Sequence, residues 1–226
     1  MEEEIVPRHV AIIVDGNRRW AAARGMVKAL GHREGAKTLE RIAKRAISCG
    51  VPFLTVYALS TENKKNRSAE ELSHLYDLLA ELAERIADIK EDVRVRVIGD
   101  VAGLPPKVQE AIRTVVVATA GRSRLTLTLA INYGGRDEIV RAVHRIVAQS
   151  SNLDETTFSS VLDTSGLPDV DLLIRTGGHH RLSNFLPWQS TYAELYFVDT
   201  LWPAFSDEEF DTALAWFGEQ TRNKGK

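Results

Sequence analysis

The chain has 226 residues, 44% hydrophobic and 27% charged, with a formal charge of −2. That length carries one domain with a sizeable core, and the near-neutral charge leaves no electrostatic case for nucleic acid. The one cysteine, Cys49, excludes a disulfide framework or thiolate metal cluster and fits a cytoplasmic setting; no apolar run reaches membrane-span length.

Residues 10–14 form an unbroken apolar, mostly β-branched run of the kind a buried parallel strand shows. It stops at Asp15. Gly16 permits a sharp turn, and Asn17 is read as the N-cap of a helix whose first turn holds Arg18 and Arg19. A helix start beside two guanidinium groups favours a di-anion such as a diphosphate. Asp15 would repel that anion unless a cation lay between them, and Mg²⁺ bridging carboxylate and phosphate oxygens is the natural completion. The alternative is an ordinary strand-turn-helix junction, since neither common glycine-rich phosphate motif is present.

Apolar spacing predicts a helix over residues 32–48, ended by Gly50 and Pro52, and a buried strand over 53–59. Residues 60–67, S-T-E-N-K-K-N-R, read as a polar loop at a strand's C-terminal edge, where open α/β sheets bind ligands. A long Leu-rich helix over 69–90 suggests either core packing or one wall of an apolar tunnel. Alternating Val and Arg over 93–98 give a strand with one wetter face, followed by a helix over 105–120 and a strand over 125–131. The glycine-rich 132–136 segment faces phosphate or makes a tight turn needing both glycines, and leads into a helix over 137–148.

Residues 154–166 are polar and helical at best, and 169–174 form the last buried strand, delivering Arg175 at its end. The loop 176–185 carries Arg181, two glycines, His179, His180 and Ser183, an inventory rich in donors that suits a second diphosphate. Glu194 stands in an aromatic, apolar segment and so calls for a cation partner. A terminal amphipathic helix spans 206–221. The alternation predicts a single α/β domain over 1–226, one open, mainly parallel sheet of about six strands with helices on both faces.

The blocks D-G-N-R-R-W-A, G-H-R-E-G-A, S-T-E-N with a downstream Arg, I-N-Y-G-G-R, D-L-L-I-R-T-G-G-x-H-R-L-S-N-F and Y-A-E-L-Y-F-x-D-x-L-W-P resemble, in order and over nearly the whole chain, the cis-prenyltransferases typified by undecaprenyl diphosphate synthase. The resemblance implies a homodimeric, Mg²⁺-dependent enzyme that condenses isopentenyl diphosphate with an allylic prenyl diphosphate to give a new cis double bond. It implies Asp15 as metal ligand, with Gly16, Asn17, Arg18 and Arg19 cradling the allylic diphosphate. Trp20, Lys28, His32, Ser60, Thr61, Glu62 and Arg67 match substrate-contacting positions, and Asn63 one that assists proton removal. Arg175, Arg181, Leu182 and Ser183 match the isopentenyl diphosphate site; His180 and Glu194 match residues that complete or neighbour the metal site, within the chain or across the dimer interface. The Leu-rich helix becomes one wall of a hydrophobic tunnel between sheet and helices, with Ala58 and Leu59 near its mouth; its modest length hints at a medium or short product. Membrane association, where it occurs, is expected to be peripheral, through the lipid product.

Lys28 replaces a usual Arg, His179 a usual Glu, and Lys64-Lys65 a usual Trp in a loop one residue shorter, while the C-terminal signature is only echoed by residues 222–225. Two other readings share the fold: a non-catalytic regulatory subunit, which typically lacks the metal Asp and the arginines, and an enzyme joining prenyl units in a branched way.

Overall fold

A computed structural model describes residues 5–88, 91–149 and 153–220. The acidic start, the last two residues of the Leu-rich segment and the 222–225 echo lie outside the described residues. Six strands, β1 (His9–Ile13), β2 (Phe53–Ser60), β3 (Val93–Ile98), β4 (Leu125–Tyr133), β5 (Leu172–Arg175) and β6 (Glu194–Phe197), form one sheet in the order β3-β4-β2-β1-β5-β6. Every neighbouring pair is parallel. The expected sheet is therefore present, and wholly parallel.

Strand alternation divides the core. Val10, Ile12, Leu54 and Val56 point to one face, where they meet Leu39 and Ile42 of α2 (Lys28–Ser48), Leu75 and Leu82 of α4 (Ala69–Asp88), Val108 and Ile112 of α5 (Pro106–Ala118) and Phe210 and Phe217 of α8 (Asp207–Gly218). Ala11, Ile13 and Tyr57 point to the other, against Phe185 and Leu186. Each side chain as fully buried as Ile12 or Leu54 contributes about 1.5–3 kcal/mol. Outside this second face, α6 (Gly135–Gln149) and α7 (Glu155–Val161) pack through Ala142, Ile146 and Phe158.

Several local expectations change. Asn17 is not an N-cap: Gly16, at φ 115°, occupies that position and Asn17 is the first residue of α1 (Asn17–Ala22). Only glycine fits there, because a Cβ would lie 2.8 Å from Leu201 Cδ2 and 2.9 Å from Leu201 Cα. Helix α2 begins four residues earlier than its apolar pattern, at Lys28, which puts that ammonium on the same helix as His32.

The polar 60–67 stretch is not a loop but a short helix, α3 (Thr61–Asn66), whose start is fixed by the Asn63 N–H donating to Ser60 Oγ at 2.9 Å. Polar residues hid it, since no apolar stripe marks so short a helix. Gly134 and Gly135 have no left-handed φ. Close approach requires them instead: a Cβ on Gly135 would lie 2.0 Å from Pro187 Cδ, and one on Gly134 2.7 Å from Thr61 Oγ1.

Candidate active site

The C-terminal ends of β1, β2 and β5 meet at a cavity of about 930 Å³. This is the position where a parallel sheet exposes its strand ends to ligands. Ile13 pairs with both Tyr57 and Arg175, so the register brings Asp15, Ser60 and Arg175 to one rim.

Asp15 is held on both sides. Thr176, fully buried, donates from Oγ1 to the Asp15 carbonyl at 2.9 Å and accepts from the Asp15 N–H at 3.0 Å. The carboxylate accepts from Arg19 Nη2 at 3.2 Å on Oδ1 and from Arg175 Nη2 at 3.0 Å on Oδ2. Arg19 Nη2 also donates to the Gly177 carbonyl at 2.7 Å, and a Cβ on Gly177, at φ 85°, would lie 2.6 Å from that nitrogen. Arg175 is 4% exposed; its Nη1 donates to Ser183 Oγ at 2.7 Å and to the Arg181 carbonyl, while its Nε has no hydrogen-bond partner. A buried guanidinium that lines a cavity and keeps an unpartnered donor is a ready anion ligand.

A second group of donors lines the same cavity from α1, α2 and the chain before α4: Arg18, Lys28, His32 and Arg67. Glu71, on the first turns of α4, stands behind them, 3.5 Å from Arg67 Nε, 3.7 Å from His32 Nε2, 3.8 Å from Arg18 Nε and 4.0 Å from Lys28 Nζ. Burial, helped by the nearby Arg67 charge, pushes the His32 imidazole down to about 4, so it is neutral at pH 7. Burial likewise lowers Arg67, against the opposing pull of Glu71.

Glu62 and Asn63 project from α3, completing the rim with Ser60. Glu62 Oε1 accepts from Asn184 Nδ2 at 2.9 Å, and hydrogen bonding outweighs burial to hold its carboxyl below the usual range. Asn184 and Ser183 both have left-handed backbones, φ 65° and 48°, the kind of local strain that accumulates at ligand sites. Asn184 and Glu71 were not singled out by sequence; Asn184 lay inside the recognised S-N-F block, whereas Glu71 carried only its four-residue spacing from Arg67.

The cavity brings together Asp15, Gly16, Asn17, Arg18, Arg19, Lys28, His32, Ser60, Glu62, Asn63, Arg67, Arg175, Arg181 and Ser183. Other expected residues lie outside its lining. Trp20 carries Arg24 over its ring at 4.1 Å, Thr61 donates to Glu62 Oε2 at 3.1 Å, and Leu182 packs into the second core face. His180 rests on Phe197 with ring centroids 4.9 Å apart, and it is His179 whose Nε2 comes 4.0 Å from Asp15 Oδ2.

Glu194 is opposite Leu172, itself opposite Val10, which places it roughly 15 Å along the strands from Asp15. Nor does it have the required cation: among the described residues it forms no ion pair. It is half-exposed on an edge strand. Lys64 Nζ donates to the Gly103 carbonyl at 2.7 Å, so this departure tethers α3 to the chain beyond β3.

Beneath the polar cavity, Val14, Ala36, Ala58, Leu59, Leu75, Leu78, Leu79, Leu82 and Trp202 line an apolar slot between the sheet, α2 and α4. Its volume is about 70 Å³, small beside the 300–1,000 Å³ of a typical ligand cavity. At the place of the expected tunnel the structure has only this slot, and Asn17 and His32 border both spaces.

Among the described residues no group of three or more His, Cys, Asp or Glu converges on a metal position. Asp15 and Glu62 are the carboxylates in the cavity lining, and Asp15 is the one held by arginines. That donor set fits Mg²⁺, which commonly takes one or two protein carboxylates together with substrate phosphate oxygens.

A family model described as putative undecaprenyl diphosphate synthase matches residues 13–225. An isoprenyl transferase of Treponema denticola is 42% identical over 230 residues, covering 100% of this chain and 99% of its own. The Escherichia coli ditrans,polycis-undecaprenyl-diphosphate synthase, (2E,6E)-farnesyl-diphosphate specific, is 44% identical over 227 residues, covering 96% and 89%. Lavandulyl diphosphate synthase from Lavandula x intermedia, solved with dimethylallyl diphosphate, superposes with a TM-score of 0.94 at 35% identity, covering 99% and 100%. A probable undecaprenyl diphosphate synthase from Campylobacter jejuni gives 0.83 at 36%, covering both chains fully. With the sheet, the cavity and these matches all in agreement, the chain belongs to the undecaprenyl diphosphate synthase family of isoprenyl transferases, the cis-prenyltransferases.

Proposed function

We propose that the cavity joins isopentenyl diphosphate to an allylic prenyl diphosphate, giving a longer Z-polyprenyl diphosphate. The observation that carries this reading is the convergence of two sets of hydrogen-bond donors, most of them cationic, on one cavity around Asp15. Arg18, Arg19, Lys28, His32 and Arg67 form the first set; Arg175, Arg181 and Ser183 form the second. Two anionic head groups in one space place two substrates in reacting distance, which is catalysis by positioning.

In the first set, the backbone at Gly16 and Asn17 with the arginines would hold the allylic diphosphate as its carbon–oxygen bond breaks and charge grows on the leaving oxygens. The terminal carbon of isopentenyl diphosphate forms the new carbon–carbon bond, and a proton leaves from the carbon beside its double bond. Asn63, on the rim, would assist that loss. Asp15 would hold Mg²⁺, which when bound neutralises diphosphate charge. For that, the carboxylate must exchange its contacts with Arg19 and Arg175, both of which then become free for phosphate oxygens.

The hydrocarbon tail would enter the apolar slot, whose apolar wall favours it over water. Exposed Val140, Val143 and Val147 on α6, with Tyr192 and Leu195 near β6, support a homodimer. The single cysteine supports a cytoplasmic, reducing setting. Asp15, Arg19, Asn63, Arg175 and Arg181 all line the cavity, so a purely regulatory subunit is the poorer reading.

The test is incubation of the purified protein with labelled isopentenyl diphosphate, Mg²⁺ and allylic primers of increasing length, followed by sizing of products. Chains longer than each accepted primer are expected, and none after chelation of the metal. Failure to extend any primer would overturn the reading.

A further inference from the structure

Glu71 has no place in the chemistry described above, yet it sits at the back of the cationic wall that the chemistry uses. Its side chain is 13% exposed, with Arg67 at 11% and His32 at 9% on either side of it. The four groups around it approach to between 3.5 and 4.0 Å. None of these contacts is a hydrogen bond: Glu71 Oε1, His32 Nε2 and Arg67 Nε and Nη1 are all buried without a hydrogen-bond partner. A carboxylate that neutralises charge without saturating the donors is held by Coulomb attraction alone and is readily exchanged for a better acceptor.

Glu71 also has somewhere to go. It lines a separate groove of about 600 Å³ between α2 and α4, and Lys28 and His32 line both that groove and the polar cavity. One turn further along α4, Leu75 lines both that groove and the apolar slot. The carboxylate and the wall of the slot are thus one helical turn apart on α4.

We propose that Glu71 is an internal counter-anion that holds Arg18, Lys28, His32 and Arg67 from the groove side in the free protein and is displaced deeper into the α2–α4 groove when an arriving diphosphate takes over those donors. Displacement releases the first turns of α4 and lets the slot between Leu75, Leu79 and the sheet widen. Glu71 is a positioning residue on this account, and the account rests on the wall's being a diphosphate site. A diphosphate outcompetes it because it offers more oxygens and more charge to the same donors.

Three proteins decide it: wild type, Glu71→Gln, which keeps shape and removes charge, and Glu71→Asp, which keeps charge. Inorganic pyrophosphate binding is measured calorimetrically without metal, and hydrogen exchange of residues 68–80 is followed with and without it. Removing the competitor should tighten pyrophosphate about tenfold in Glu71→Gln, equivalent to about 1.4 kcal/mol, with the gain shrinking in high salt. Glu71→Asp should stay near wild type. Pyrophosphate should speed exchange at 68–80 in wild type, whereas in Glu71→Gln exchange should already be fast and unresponsive. Unchanged or weaker binding by a folded Glu71→Gln, beside a wild type that binds, would overturn this proposal and leave the diphosphate reading intact. A wild type that binds no pyrophosphate would overturn both.

Discussion

Arg175 donates to Asp15 Oδ2 at 3.0 Å across 160 residues of sequence, joining the ends of adjacent strands β5 and β1. This contact ties the two halves of the cavity together: the same guanidinium reaches Ser183 on one side and the carboxylate on the other. Arg175→Lys keeps the charge but loses the fork. At about 1.5–3 kcal/mol per charged hydrogen bond, kcat/KM should fall about 10- to 100-fold, chiefly as a raised KM for isopentenyl diphosphate. Steady-state kinetics with each substrate varied in turn checks this.

His32 sets an acid limit on stability. Burial, then the Arg67 charge, depress its folded value to about 4, below the ordinary 6.5 of an unfolded chain. Between those values the unfolded state binds the extra proton, so stability falls as pH drops from 6.5 to 4 and levels off below. The shift corresponds to about 3 kcal/mol, and His9, also lowered by burial, adds to the same limb. Urea unfolding of wild type and His32→Gln at pH 7 and pH 4.5 should show a smaller loss in the variant.

Gly16→Ala should damage fold and site together. The residue has a left-handed φ of 115°, and its Cβ would press on Leu201 backbone and side chain at 2.8–2.9 Å. Strain and overpacking together predict a loss of about 2–5 kcal/mol, read as a lowered thermal midpoint.

The apolar slot predicts product length. Ala58 and Leu79 line it, and the space is about 70 Å³. Leu79→Ala should lengthen the products and Ala58→Leu shorten them, as sized by chromatography. Leu82, 4% exposed, is the less suitable position, since its truncation costs about 2–5 kcal/mol of stability.

Sequence revealed those parts of the molecule in which local pattern and tertiary role coincide. The apolar runs ending at Asp15 and Arg175 read correctly as parallel strands because both faces of such strands are buried. Helix α3 did not, because its cap bond from Asn63 to Ser60 leaves no periodic trace. Gly16 took the cap position from Asn17 because Leu201, distant in sequence, leaves no room for a side chain. Glu194 carries a recognisable motif but lies at the wrong end of β6 to reach Asp15 within its own chain. Glu71 was hidden for the opposite reason: it belongs to no motif, and only folding gathers Arg18, Lys28, His32 and Arg67 around it.

The central claim is that Asp15 organises the exchange of charge between the two donor sets. Its most direct test is turnover of isopentenyl diphosphate by Asp15→Ala at saturating substrates and Mg²⁺, in protein shown to be folded. A drop of about 10³-fold, on the order of 4 kcal/mol of transition-state stabilisation, is predicted. Turnover equal to wild type would contradict it.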